Sequence, residues 1–172
     1  MAKVAFILDE MFEDSEFQVP YDRVKEAGHV PVIVGLQSGK RLEGKKGEVT
    51  ITTEAASSDV STDEFAALVI PGGYSPDKIR TDDAMVSLTR SIHEAGKPVA
   101  AICHAGWMLA EADIVRGKTV TSWPSIKTDL VNAGANWVDQ EVVEDGNLIT
   151  SRKPDDLEAF SKSLLAQIEQ QA

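Results

Sequence analysis

The sequence predicts an α/β fold: a mostly parallel sheet covered by helices on both faces. Three observations lead there. Short runs such as Val4–Leu8, Val30–Val34, Ala67–Ile70 and Val99–Ile102 are apolar throughout, as strands buried on both faces must be. Longer segments between them have helical spacing and end at glycines, as at Gly28, Gly96 and Gly134. The alternation persists along the chain with no repeat, low-complexity tract or linker, so residues 1–172 are read as a single domain.

The first strand covers Val4–Leu8. Phe12–Glu16 reads as an acidic loop, and Ser15 as the cap of a helix ending at Ala27, with Pro20 in its first turn. Val30–Val34 is the second strand. Gly35–Gly47, rich in glycine and lysine, reads as a surface connection, and the alternating Val49–Thr53 as a short edge strand. Ala67–Ile70 is a buried strand running into Pro71-Gly72-Gly73. Asp82–Ala95 is helical, Val99–Ile102 is a strand, and Ala105–Ala112 is the next helix. Thr119–Thr121 is a short strand, and Ser125–Asn132 a helix. Val138–Val143 and Leu148–Ser151 pair through the turn dipeptide Asp145-Gly146. Pro154, with Asp155 and Asp156 after it, starts a helix that reaches about Gln170.

Composition narrows the function. The net charge of −11 opposes non-specific nucleic-acid binding and attraction to an anionic membrane surface. No apolar run approaches the roughly 18 residues of a membrane span, and the N-terminus reads as a strand, not a signal peptide. A lone cysteine excludes intrachain disulfides and suggests a reducing, cytoplasmic home. No spacing of His, Cys and carboxylates suggests a metal, and neither a P-loop nor a dinucleotide fingerprint is present, so no cofactor is expected.

That cysteine is the main chemical signal. Cys103 ends a buried strand, His104 follows it, and a helix begins just beyond. Free N–H groups and the helix dipole would then lower the thiol below its ordinary pKa of about 8.5. Ligands of parallel sheets sit at the carboxyl ends of strands. Three such ends lead to Glu13, to Gly72-Gly73 and to Cys103-His104. Gly72 and Gly73 can turn amide N–H groups toward a carbonyl oxygen and, with the N–H after Cys103, form an oxyanion hole; a plain tight turn explains them equally well. Glu13 can move protons or, protonated, donate to the sulfur. Its neighbours Glu10, Asp14 and Glu16 read as solvated carboxylates. His104 is the candidate base, or the imidazolium partner of a thiolate, and Asp77 its candidate orienting acid. Tyr74 is placed to shape the mouth of the site, and Trp107 to line it. His29 and His93 read as structural.

The segments FEDSEF (12–17), KEAGH (25–29), GKKG (44–47), VIPGGYSPD (69–77), GKPVAAICHAG (96–106), NAGANWVDQEVV (132–143) and TSRKPDDLEAF (150–160) together resemble the PfpI family of the Parkinson-protein and class I glutamine-amidotransferase-like superfamily. The resemblance implies a flavodoxin-like three-layer α/β/α sandwich with a nucleophile elbow at Cys103. It implies Glu13 hydrogen-bonded to the thiol, His104 as catalytic histidine, and Asp77 where protease members carry a Glu that reaches a neighbouring subunit. Many members read ICHGPQ where this chain reads ICHAGW; the small Ala105 is kept and Trp107 is new. The resemblance further implies a homodimer or larger homo-oligomer. The activity it implies is deglycase or glyoxalase chemistry on small aldehydes or modified proteins. An intracellular peptidase and a redox-sensing, chaperone-like stress protein are the alternatives. A glutamine amidotransferase is a further alternative, against which the absence of any histidine after His104 argues strongly.

Overall fold

Strand β1 (Lys3–Ile7) lies near the middle of the sheet and feeds helix α1 (Asp14–Glu26). The chain continues through β2 (Val30–Gly35), β3 (Arg41–Glu43), β4 (Thr50–Thr52), β5 (Ala55–Ala56), β6 (Ala67–Ile70), α2 (Ser75–Ile79), α3 (Asp83–Glu94) and β7 (Val99–Ile102). It ends with α4 (Gly106–Glu111), β8 (Thr119–Val120), α5 (Lys127–Asn132), β9 (Asn136–Trp137), β10 (Val142–Asp145), β11 (Leu148–Ser151) and α6 (Leu157–Gln170). This is a computed structural model, and it describes residues 1–171.

The main sheet has the order β10-β11-β7-β6-β1-β2-β5, with only the β10–β11 pair antiparallel. Side chains alternate across a strand, so each central strand serves two apolar layers. Ala5, Ile7, Leu68, Ile70, Val99 and Ala101 face Met85, Leu88 and Ile92 of α3 and Met108 and Leu109 of α4. Val4, Phe6, Val69, Ala100 and Ile102 face Phe17 and Val24 of α1 and Phe160, Leu164 and Ile168 of α6. Two apolar faces explain the unbroken apolar runs. The result is a three-layer α/β/α sandwich.

Several local expectations need correction. Phe12–Glu16 is not a loop, because α1 begins at Asp14. Pro20 therefore lies in the second turn, and the Glu16 carbonyl loses its helical N–H partner. Gly35–Gly47 is more than a connection: β3 pairs with β4 in a separate two-stranded sheet. Residues 138–141 are not strand; Asn136–Trp137 pairs instead with β8, and β10 starts at Val142. The two-residue β5 and the five-residue α2 are too short to show a periodic pattern.

Candidate active site

Three strand ends meet at one crevice. The loop after β1 is fastened to the loop after β6 by a Phe12–Gly73 bridge. The Glu13 N–H donates to the Gly72 carbonyl at 3.0 Å, and the Tyr74 N–H to the Met11 carbonyl at 2.9 Å. Gly73 has φ +83°, and a Cβ there would lie 2.6 Å from the Met11 oxygen, so only glycine fits. Gly72 is excluded from carrying a side chain for another reason: its Cβ would meet the Glu16 carboxyl and come within 2.8 Å of the Cys103 Cβ.

Cys103 closes β7 with φ +63°, a left-handed backbone that a non-glycine residue adopts at a cost of about 1–3 kcal/mol. This bend turns the sulfur out of the sheet and toward the crevice. Buried Ala105 keeps the turn into α4 tight. The sulfur lies 3.3 Å from His104 Nδ1 and is also contacted by the backbone N–H groups of His104 and Gly73.

The carboxyl beside the sulfur belongs to Glu16, and the expectation for Glu13 is corrected accordingly. Glu16 is fully buried, and its Oε1 accepts the Gly72 N–H at 2.8 Å. Burial pushes its pKa up to about 8, with the charge of Glu13 adding to the shift and the Gly72 N–H opposing it. At neutral pH the Glu16 carboxyl is therefore protonated, and the thiol of Cys103 is within its reach. Glu13 faces the other way. Its carboxylate is held by Lys45 Nζ at 2.9 Å and Lys46 Nζ at 3.1 Å. The reason is helical phase: with α1 starting at Asp14, Glu16 falls on the inward stripe with Phe17, Pro20 and Val24. That stripe was a usable sequence signal.

The thiol itself is not lowered in the way the sequence suggested. Burial, and then the negative charge of Glu16, push Cys103 up; the N–H groups of His104 and Gly73 and the charge of Lys45 oppose them. A six-residue α4 adds little dipole. Sulfur and carboxyl thus compete for protons, and a neutral Glu16 removes the main repulsion on a thiolate.

The oxyanion expectation also changes. The Gly72 N–H is occupied by Glu16, which leaves the Gly73 and His104 N–H groups facing the sulfur. Burial and the charge of Lys45 lower the pKa of His104, so its ring is neutral at pH 7. Its Nε2 meets Ser125 Oγ at 3.3 Å. Asp77 is exposed on α2, and among the described residues the His104 ring bonds only Cys103 and Ser125. The orienting acid expected at Asp77 is thus not in place within one chain.

Lys45, Gly73, Tyr74, His104 and Trp107 line a cavity of about 190 Å³ at the crevice. Tyr74 is exposed at its mouth. The Trp107 indole packs 5.2 Å from His104, and its Nε1–H donates to Asp129 at 2.9 Å. Besides Glu16, sequence reasoning missed Lys45 and Ser125, which depend on long-range folding. Among the described residues no group of three His, Cys, Asp or Glu is arranged to hold a metal ion, and no helix is long and apolar enough to cross a membrane.

A strained cysteine at the end of a parallel strand, flanked by a buried carboxyl and free amides, defines an α/β protein with a cysteine elbow. The profile of the DJ-1/PfpI family matches residues 2–167, and the chain belongs to that family. It is 46% identical over 164 residues to "Protein/nucleic acid deglycase 2" of Escherichia coli, covering 95% of each chain. It is 44% identical over 168 residues to "General stress protein 18" of Bacillus subtilis, covering 97% of this chain and 98% of that one. Among solved structures, a two-domain protein of Anabaena variabilis with DJ-1/ThiJ/PfpI-like and ferritin-like domains superposes with a TM-score of 0.97 at 38% identity. The match covers 98% of this chain and 48% of that one.

Proposed function

We propose that the protein is a cysteine-dependent deglycase or glyoxalase-type enzyme acting on small reactive aldehydes or their protein adducts. The observation that carries this reading is Cys103 at φ +63°, set against Glu16 and 3.3 Å from His104, which lines a cavity of about 190 Å³. The curated relatives named as deglycases support it.

The thiolate of Cys103 forms a bond to the aldehyde carbon as the C=O π bond breaks. The new oxyanion is met by the Gly73 and His104 N–H groups, preorganised by the turn. Protonated Glu16 donates to the sulfur and stabilises the charge before attack. Neutral His104, 3.3 Å from the sulfur, moves protons between sulfur, oxygen and substrate carbon. Ala105 gives the turn its room, while Tyr74 and Trp107 exclude water from the reacting centre. Cavity size favours small substrates: pockets for drug-sized ligands occupy about 300–1,000 Å³, and a three-carbon dicarbonyl needs far less. The same comparison weighs against a plain peptidase.

Asp77 is exposed and makes no hydrogen bond to its own His104, so its role as an orienting acid is one across a homodimer. A cytoplasmic setting fits the single free cysteine. Cys103→Ser should abolish release of methylglyoxal from modified protein and turnover of free methylglyoxal. Unchanged rates in that variant would remove this reading and leave a redox-sensing stress protein as the alternative.

A further inference from the structure

The lip of the cavity carries a cation whose placement is built in detail. The buried carboxylate of Asp14 accepts the N–H groups of Lys46, Glu48 and Val49 at 2.9, 3.0 and 2.9 Å. These bonds fold the turn between β3 and β4 onto the start of α1. The Lys45 N–H donates to the Phe12 carbonyl at 2.8 Å. Gly44 packs so closely on the Asp14 carboxyl that no Cβ fits there. The consequence is a fixed position for Lys45. Its ammonium reaches Glu13 at 2.9 Å, sits 5.8 Å from the centre of the Tyr74 ring, and forms part of the cavity wall.

Lys45, Lys46, Glu13 and the ionised Asp14 balance one another, but of these four only Lys45 lines the cavity, so its ammonium is the charge a substrate meets there. The chain as a whole carries −11. A cationic side chain in the wall of so small a cavity gives an anionic substrate group a partner that a neutral one does not use. We propose that Lys45 makes the Cys103 cavity prefer carbonyl compounds with a carboxylate next to the reacting carbon, the glyoxylate class, over neutral dicarbonyls of the same size. Lys45 is then a specificity-determining residue, and Glu13 a positioning residue that acts through it.

The inference rests on Cys103 being the nucleophile of the function proposed above. In the step it concerns, sulfur bonds to the aldehyde carbon, the C=O π bond opens, and its oxygen takes a proton to give a hemithioacetal. The carboxylate is unchanged and keeps its charge against the Lys45 ammonium.

The test uses the single cysteine as its own reporter. Iodoacetate and iodoacetamide alkylate a thiolate with loss of iodide and differ mainly in charge. Their rate ratio at Cys103 cancels the thiolate fraction, which Lys45 also affects. A neighbouring cation should raise that ratio on the order of tenfold above that of glutathione. Lys45→Met should bring it down to the glutathione value, and Lys45→Arg should restore it. Glyoxylate should protect Cys103 from iodoacetamide at lower concentration than glyoxal does, and Lys45→Met should erase that advantage. A wild-type ratio no higher than that of glutathione, or one that Lys45→Met leaves within twofold of wild type, overturns the inference. The two readings fail separately. Aldehyde turnover with an unchanged ratio sinks only the role of Lys45; a shifted ratio in a protein with no turnover sinks only the enzymatic reading.

Discussion

Removing the carboxyl of Glu16 while keeping its shape tests the proton arrangement of the site. Glu16→Gln retains an oxygen for the Gly72 N–H at 2.8 Å and presents an amide in place of the protonated oxygen. The comparison is cleanest in a Cys103→Ser background, where the sulfur can no longer ionise. Beside the Cys103 sulfur, folded Glu16 has a pKa of about 8 against 4.5 for the ordinary group, and burial, the main cause of the rise, is kept in the Cys103→Ser background. Between those values the folded state binds a proton that the unfolded state has released. Stability therefore falls as pH rises, by about 1.4 kcal/mol per unit. Relative to Cys103→Ser/Glu16→Gln, the Cys103→Ser protein should lose about 2–3 kcal/mol between about pH 5.5 and about pH 7.5. Urea unfolding at the two pH values reads this directly. In the cysteine-containing protein the slope reads the state of the sulfur: a thiolate, whose lost proton balances the one held by Glu16, brings it toward zero, and a thiol leaves it in full. Parallel curves for Cys103→Ser with and without Glu16→Gln would refute a protonated Glu16. A full slope in the cysteine-containing protein would refute a resting thiolate.

Gly72→Ala, which sets a methyl group against Glu16 and Cys103, should cost about 1–3 kcal/mol in urea unfolding and slow Cys103 alkylation. Asp14→Asn should weaken the three backbone bonds that hold the Lys45 turn, costing about 3 kcal/mol and speeding amide exchange at Lys46, Glu48 and Val49. Burial raises the Asp14 carboxyl, but those N–H bonds outweigh it and hold it below 3.8. Its contribution is therefore present above the unfolded value and fades as pH falls through the lower folded one, so acid titration should close the gap between wild type and Asp14→Asn. Ser125→Ala removes the contact at His104 Nε2; it should cost under about 1 kcal/mol of stability and change the tautomer mixture of the ring seen by nitrogen NMR.

The strands that carry the site were legible in the sequence. Ala67–Ile70 and Val99–Ile102 fall where their unbroken apolar runs put them, because a strand with helices on both faces has no polar side to display. Both ends of the crevice, the double glycine and Cys103-His104, follow from those strands. The carboxylate was not legible as read. Glu13 and Glu16 are one helical turn apart in an acidic stretch, and the choice between them hangs on where α1 begins. Reading 12–16 as a loop erased the phase that places Glu16 with Phe17 and Pro20.

By itself, then, the order of residues determined a parallel sheet with a lone sulfur at its carboxyl edge. Tertiary structure decided the electrostatics around that sulfur. The bridge from Phe12 to Gly73 starts α1 at Asp14 and turns Glu16 inward against Cys103. Asp14 draws in a turn that lies 32 to 35 residues further along the chain, and Lys45 arrives with it. Apolar periodicity records which face of an element is buried. Hydrogen bonds between distant loops leave no such period, and they placed the charges here.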